Sequence, residues 1–108
     1  MNNKELQIRL LPMSKDEFKN KTALEVQKEY FLDILINEQD GRFFYPGDGM
    51  NTTEGSLILF QYDNSVIAAA IFEDRKDFTN NPVEGKYDKA NVLDKNSVSV
   101  FEPITKQN

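Results

Sequence analysis

The sequence predicts an α+β fold: a small, mostly antiparallel sheet, curved or closed into a barrel, with one main helix packed on it. Three observations carry this. Residues 57–60 and 66–72 are apolar runs separated by the polar break Asp63-Asn64-Ser65, which is the pattern of a β-hairpin. Neither run alternates cleanly, so both strands are expected to be covered on both faces and to sit at the centre of the sheet. One amphipathic segment follows Thr22, and the other apolar segments are short and divided by turn signals. Strand, helix, then several strands is the order of an α+β domain.

Element by element, Leu6, Ile8 and Leu10 alternate with Gln7 and Arg9, so residues 5–11 read as a strand with that apolar face half-buried. Pro12 is expected to end it. Ser14 with Glu17, and Thr22 with Glu25, have the spacing of capping boxes. The first predicts a single helical turn ending near Asn20. The second opens a helix to about Ile36, with Asn37 as a left-handed stop and Leu24, Phe31 and Leu35 on one face. Residues 42–45, Arg-Phe-Phe-Tyr, read as a short strand, and Pro46-Gly47-Asp48-Gly49 as a turn. The hairpin comes next. Its second run contains Ala68-Ala69-Ala70, a helix-favouring triplet. The preceding turn and the β-branched Val66, Ile67 and Ile71 favour strand, and the alanines would let a helix approach the sheet closely. Residues 86–93 read as a ragged strand, Asp94-Lys95-Asn96-Ser97 as a turn, and Val98 to Phe101 as a last strand stopped by Pro103. Closing the sheet into a barrel would remove its edges.

At 108 residues, 39% hydrophobic and 29% charged, the chain is expected to form one domain over residues 1–108 with a modest core. There is no cysteine and no histidine, which removes disulfides, zinc sites built on Cys or His, and Cys–His or Ser–His–Asp catalysis. No activity and no cofactor are expected. The formal charge is −5, with nine acids and seven bases in residues 1–50 and nine and six in residues 51–108. No polybasic stripe exists for a phosphate backbone, so strong non-specific nucleic-acid binding is not expected. No apolar run reaches the roughly 18 residues of a membrane span, and the first residues lack the apolar region of a signal peptide. A cytoplasmic location is the expectation.

Residues 55–63, Gly-Ser-Leu-Ile-Leu-Phe-Gln-Tyr-Asp, with 67–70, Ile-Ala-Ala-Ala, and 96–104, Asn-Ser-Val-Ser-Val-Phe-Glu-Pro-Ile, together with Glu29-Tyr30-Phe31 and Phe44-Tyr45, carry a resemblance. The chain resembles the N-terminal module of bacterial HNH-type restriction-like endonucleases, which is similar to the PUA-like group of small barrels that includes readers of modified bases. The similarity runs from about Leu6 to Ile104 and its motifs are structural. The HNH domain itself has no counterpart. The resemblance implies a PUA-like fold and a setting in bacterial or phage nucleic-acid defence, not an activity. Residues 85–91 fall where a more aromatic strand belongs to the pattern, so an acidic version of the module could instead bind protein.

Two sets of residues are candidates for binding. Arg42, Phe44 and Tyr45, with Gln61 and Tyr62 at a strand end, place aromatics, a cation and an amide where an extruded base could stack and pair. The plainer reading is core and turn-flanking residues. Glu73, Asp74 and Asp77, around Arg75 and Lys76, could mimic phosphates to a nucleic-acid-processing protein; the plainer reading is a solvated strand end. Glu84-Gly85-Lys86 matches an acid-x-lysine fragment of metal-dependent nucleases, but it follows Pro82 in a glycine loop. Two functions follow as expectations: a non-catalytic module binding nucleic acid or a modified base weakly, or a small acidic inhibitor, of anti-CRISPR or nucleic-acid-mimic type, that blocks a nucleic-acid-processing complex.

Overall fold

Left-handed backbone at Asp63 and Asn64, with φ of 51° and 65°, makes the two-residue hairpin turn whose twist matches its strands. That turn joins β3 (Leu57–Tyr62) to β4 (Ser65–Asp77). The computed structural model describes residues 5–45, 52–77 and 89–105, except the side chains of Phe44, Tyr45, Asp77 and Lys89. The other strands are β1 (Ile8–Met13), β2 (Arg42–Tyr45) and β5 (Lys89–Thr105). Their order is β1-β3-β4-β5-β2. The fold is α+β, one helix against a five-stranded sheet curled into a half-barrel. The sheet is mixed, because β1 pairs parallel with β3 while the other three pairs are antiparallel. Among the described residues β1 and β2 do not pair, so the barrel is not closed.

The helix α1 starts in α form at Ala23–Glu25 and continues in π form through Val26–Glu38. The predicted capping box is present: the Thr22 hydroxyl accepts from Glu25 N–H at 3.2 Å, and the Glu25 carboxylate accepts from Thr22 N–H at 2.8 Å. Beyond it the winding widens, closing bonds such as Gln39 N–H to Ile34 O at 2.9 Å. A helix wider than 3.6 residues per turn repeats its inner face at Gln27, Phe31 and Leu35, all buried. Leu24, expected on that face, is exposed. The helix stops later than Asn37, at Asp40 and Gly41, whose φ values are 53° and 77°. Gly41 N–H bonds Leu35 O at 2.8 Å, and a Cβ there would lie 2.4 Å from Leu93 O, so the sharp turn into β2, passing close against β5, needs glycine.

The expected helical turn before the helix is instead a run of turns over residues 15–20, with Phe18 N–H to Lys15 O and Lys19 N–H to Asp16 O, both 3.1 Å. Ser14 accepts from Asp16 N–H at 3.1 Å.

The inner face of the sheet carries Ile58, Phe60, Tyr62, Ala68, Ala70 and Phe72, which join Val26, Phe31, Leu35 and Phe43 in one core. The curl is visible in its rings. Strands β3 and β2 are three neighbours apart, about 14 Å in a flat sheet at ~4.8 Å per strand. Yet the Phe60 and Phe43 rings lie 5.3 Å apart, with Phe31 5.0 Å from Phe60 on the helix side.

Strand β5 is one strand where the sequence suggested two. Between Ala69↔Ser99 and Ile71↔Asp94, β4 advances two residues and β5 five. The predicted turn is therefore a bulge inside a strand. Ser97 holds it, its hydroxyl accepting from Ile71 N–H at 2.7 Å and donating to Asp94 O at 2.6 Å. A second insertion lies between Val66↔Ile104 and Ala68↔Val100. It contains Pro103, which a bulge tolerates. Gln27 reaches this irregularity from the helix, its amide donating to Ile67 O at 2.9 Å and Phe101 O at 2.7 Å.

Strand β1 reverses the expected faces. Leu11 and Met13 pack inward against the core, while Leu6, Ile8 and Leu10 are 68%, 70% and 50% exposed. Pro12 does not end the strand. Gln7 turns its N–H to Ser56 Oγ and its C=O to Leu57 N–H, toward β3. Strand alternation turns the polar groups of residue 12 outward, where proline's missing donor costs no ladder bond.

Candidate functional site

An open concavity forms where β4 passes the turn that precedes β3. Its lining includes Thr52, Thr53, Phe72, Glu73, Asp74 and Lys76. One wall is the 52–56 turn. Thr53 Oγ1 donates to Glu5 O at 2.7 Å, Thr52 Oγ1 to Gln7 Oε1 at 2.7 Å, and Gly55 N–H to Phe72 O at 2.7 Å. These bonds tie the turn to the residues leading into β1 on one side and to β4 on the other.

The other wall is β4 itself. Between Phe72↔Leu93 and Asp74↔Val92, β4 advances two residues while β5 advances one. Glu73 is thus the extra residue of a β-bulge. In a regular strand Glu73 and Asp74 would point to opposite faces. The bulge re-aims the chain, and Glu73 and Asp74, both exposed, line the same concavity. Asp74 Oδ1 also accepts from Arg75 N–H at 2.7 Å. Lys76 stands on the same rim. Asp77 closes β4 opposite Lys89, its side chain outside the described residues. Among the described residues, no three Asp or Glu cluster closely enough to hold a metal ion. Glu84 and Lys86 lie outside the described residues.

Of the residues read as a base-binding set, the three with described side chains, Arg42, Gln61 and Tyr62, do not converge. Tyr62 is buried in the core rather than placed at a pocket mouth. Its ring meets Phe18 edge-on at 5.9 Å, and its hydroxyl donates to Lys21 O at 2.6 Å, fastening the chain just ahead of α1. Burial pushes the Tyr62 phenol pKa up, against the pull of Lys15. Gln61, one residue earlier, takes the outer face and is half-buried opposite Pro12 and Val66. The two side chains therefore cannot line one mouth. Arg42 lies on β2 at the far edge of the sheet, half-buried, with Nε donating to Gln39 O at 3.2 Å. Phe44 and Tyr45 follow it in β2, opposite Ala90 and Lys89; their side chains are outside the described residues.

The acids of the concavity were legible as a charge cluster. Its threonine wall was not, since only the β1 and β4 contacts bring Thr52 and Thr53 there; the Thr-Thr-Glu-Gly turn pattern was the available signal. Comparison with protein-family models, characterised proteins and solved structures finds no match to this chain.

Proposed function

We propose that this chain is a non-catalytic binding module whose partner is a basic surface of a nucleic-acid-processing protein, the action of a small acidic inhibitor. The observation that carries the proposal is the β4 bulge. It sets Glu73 and Asp74, both exposed, side by side on the lining of one concavity. Two adjacent carboxylates on a rigid strand offer spaced negative charge where a phosphate-binding protein supplies Lys and Arg. The formal charge of −5 favours encounter with such a surface. The half-barrel over a single helix is what supports reading the scaffold as PUA-like.

A second reading is weak recognition of nucleic acid or a modified base. The run Arg42-Phe43-Phe44-Tyr45 on the edge strand β2 favours it. The burial of Tyr62 weighs against it. One pair of experiments separates the readings. A pull-down from bacterial lysate with and without nuclease should retain the same protein partner in both arms, and lose it with Glu73→Lys/Asp74→Lys. Titration with single-stranded and duplex DNA, plain and modified, should show no binding at high micromolar concentration. DNA binding lost on Tyr45→Ala would instead establish the second reading.

A further inference from the structure

Strand β1 forms one edge of the sheet, and its outward side is apolar. Leu6, Ile8 and Leu10 are 68%, 70% and 50% exposed. Because Gln7 directs its backbone groups to Ser56 and Leu57, alternation directs those of residues 6, 8 and 10 away from the sheet. No partner for them occurs among the described residues. An edge with free backbone groups and large apolar side chains is a template for another strand.

We propose that the occupant is a second copy of this chain, the two β1 edges pairing antiparallel about a two-fold axis so that two five-stranded sheets become continuous. The segment is self-complementary. With Ile8 opposite the partner's Ile8, Leu6 meets the partner's Leu10 and Gln7 meets the partner's Arg9. Side-chain parity is kept, so apolar residues meet on the outer face and polar residues on the inner one. Residues 6, 8 and 10 become the hydrogen-bonded positions, and the ladder ends before Pro12. Charge also permits it here. The chain carries −5, but residues 5–13 hold one acid and one base, Glu5 and Arg9, so self-repulsion is low at this edge. The proposal is independent of the acidic concavity, whose Glu73 and Asp74 lie on β4.

The chain has no cysteine, which makes single-cysteine variants a direct test. In this register the Ile8 Cα atoms of the two copies lie about 5.5 Å apart, within disulfide range. Mild oxidation of Ile8→Cys should give a covalent dimer, and Gln7→Cys, offset by two residues from its own copy, should not. Sedimentation of the native chain should show dimer growing toward high micromolar concentration, with amide exchange at Ile8 and Leu10 slowing in parallel. Leu10→Arg, at an exposed position, should remain folded by circular dichroism and stay monomeric. A native chain monomeric throughout, a dimer whose Ile8 and Leu10 amides exchange as in the monomer, or preferential cross-linking of Gln7→Cys would each overturn the proposal.

Discussion

Phe60, on β3, sits where the helix and the edge strand β2 come over the curled sheet, fully buried, its ring 5.0 Å from Phe31 and 5.3 Å from Phe43. Removing it leaves a cavity that neighbours from three elements cannot all close, so Phe60→Ala should cost about 3–5 kcal/mol in denaturant melts. A loss under about 1 kcal/mol is the size of a surface change and would contradict its place in the core. Glu25 acts through charge rather than packing. Its carboxyl is held below the usual 4.5, first by the Thr22 backbone N–H, then by the Thr22 hydroxyl and Lys21. A pKa lowered by folding contributes stability above the unfolded value, and that contribution is lost as pH falls through the folded value. Glu25→Gln keeps an acceptor at the cap and removes the charge. It should melt below the native chain at neutral pH, with the difference shrinking in acid below about pH 4.5. A difference independent of pH would mean that the charge plays no part.

Elements are held in register by a few polar side chains that no propensity announces. Gln27 is one: it lies on the buried face of α1 and donates to two carbonyls, one on β4 and one on β5. Leaving buried carbonyls without donors costs roughly 1–3 kcal/mol each. Gln27→Ala should therefore destabilise by about 2–6 kcal/mol by this reckoning, and Gln27→Glu should recover none of it at neutral pH, since a carboxylate cannot donate. Wild-type stability in Gln27→Ala, read from urea melts, would show those bonds to be idle. Such contacts explain what was legible in the sequence and what was not. The Thr22–Glu25 cap and the Asp63-Asn64 turn are local chemistry, and both appear as read. Asp94–Ser97 and Pro103 carry equally plain stop signals, yet β5 runs through them because Ser97 supplies ladder partners and a bulge accommodates the proline. The alternation of β1 was also plain, but which face is buried depends on which neighbour it joins. The acid pair was visible as charge. Its convergence was not, because it rests on a one-residue mismatch between two long strands.

For the whole molecule the open question is whether its charge acts through a place or only through a total. At physiological salt, exposed charges are screened beyond about 8 Å. A diffuse −5 mainly steers encounter, whereas two carboxylates paired directly with Lys or Arg also slow dissociation. Glu73→Lys with Asp74→Lys takes the formal charge from −5 to −1, each substitution removing one negative charge and adding one positive. Glu38→Lys with Glu102→Lys makes the same change at exposed positions on α1 and β5, away from the concavity. If the bulge builds a docking site, the first variant should abolish capture of the basic partner, while the second should bind with a slower on-rate and a dissociation rate near that of the native chain. Raising salt should weaken the native complex and the control in parallel. Surface plasmon resonance at two ionic strengths reads all of this. Equal losses in the two double variants would place the effect in net charge alone, and the concavity at Glu73 and Asp74 would no longer be a site.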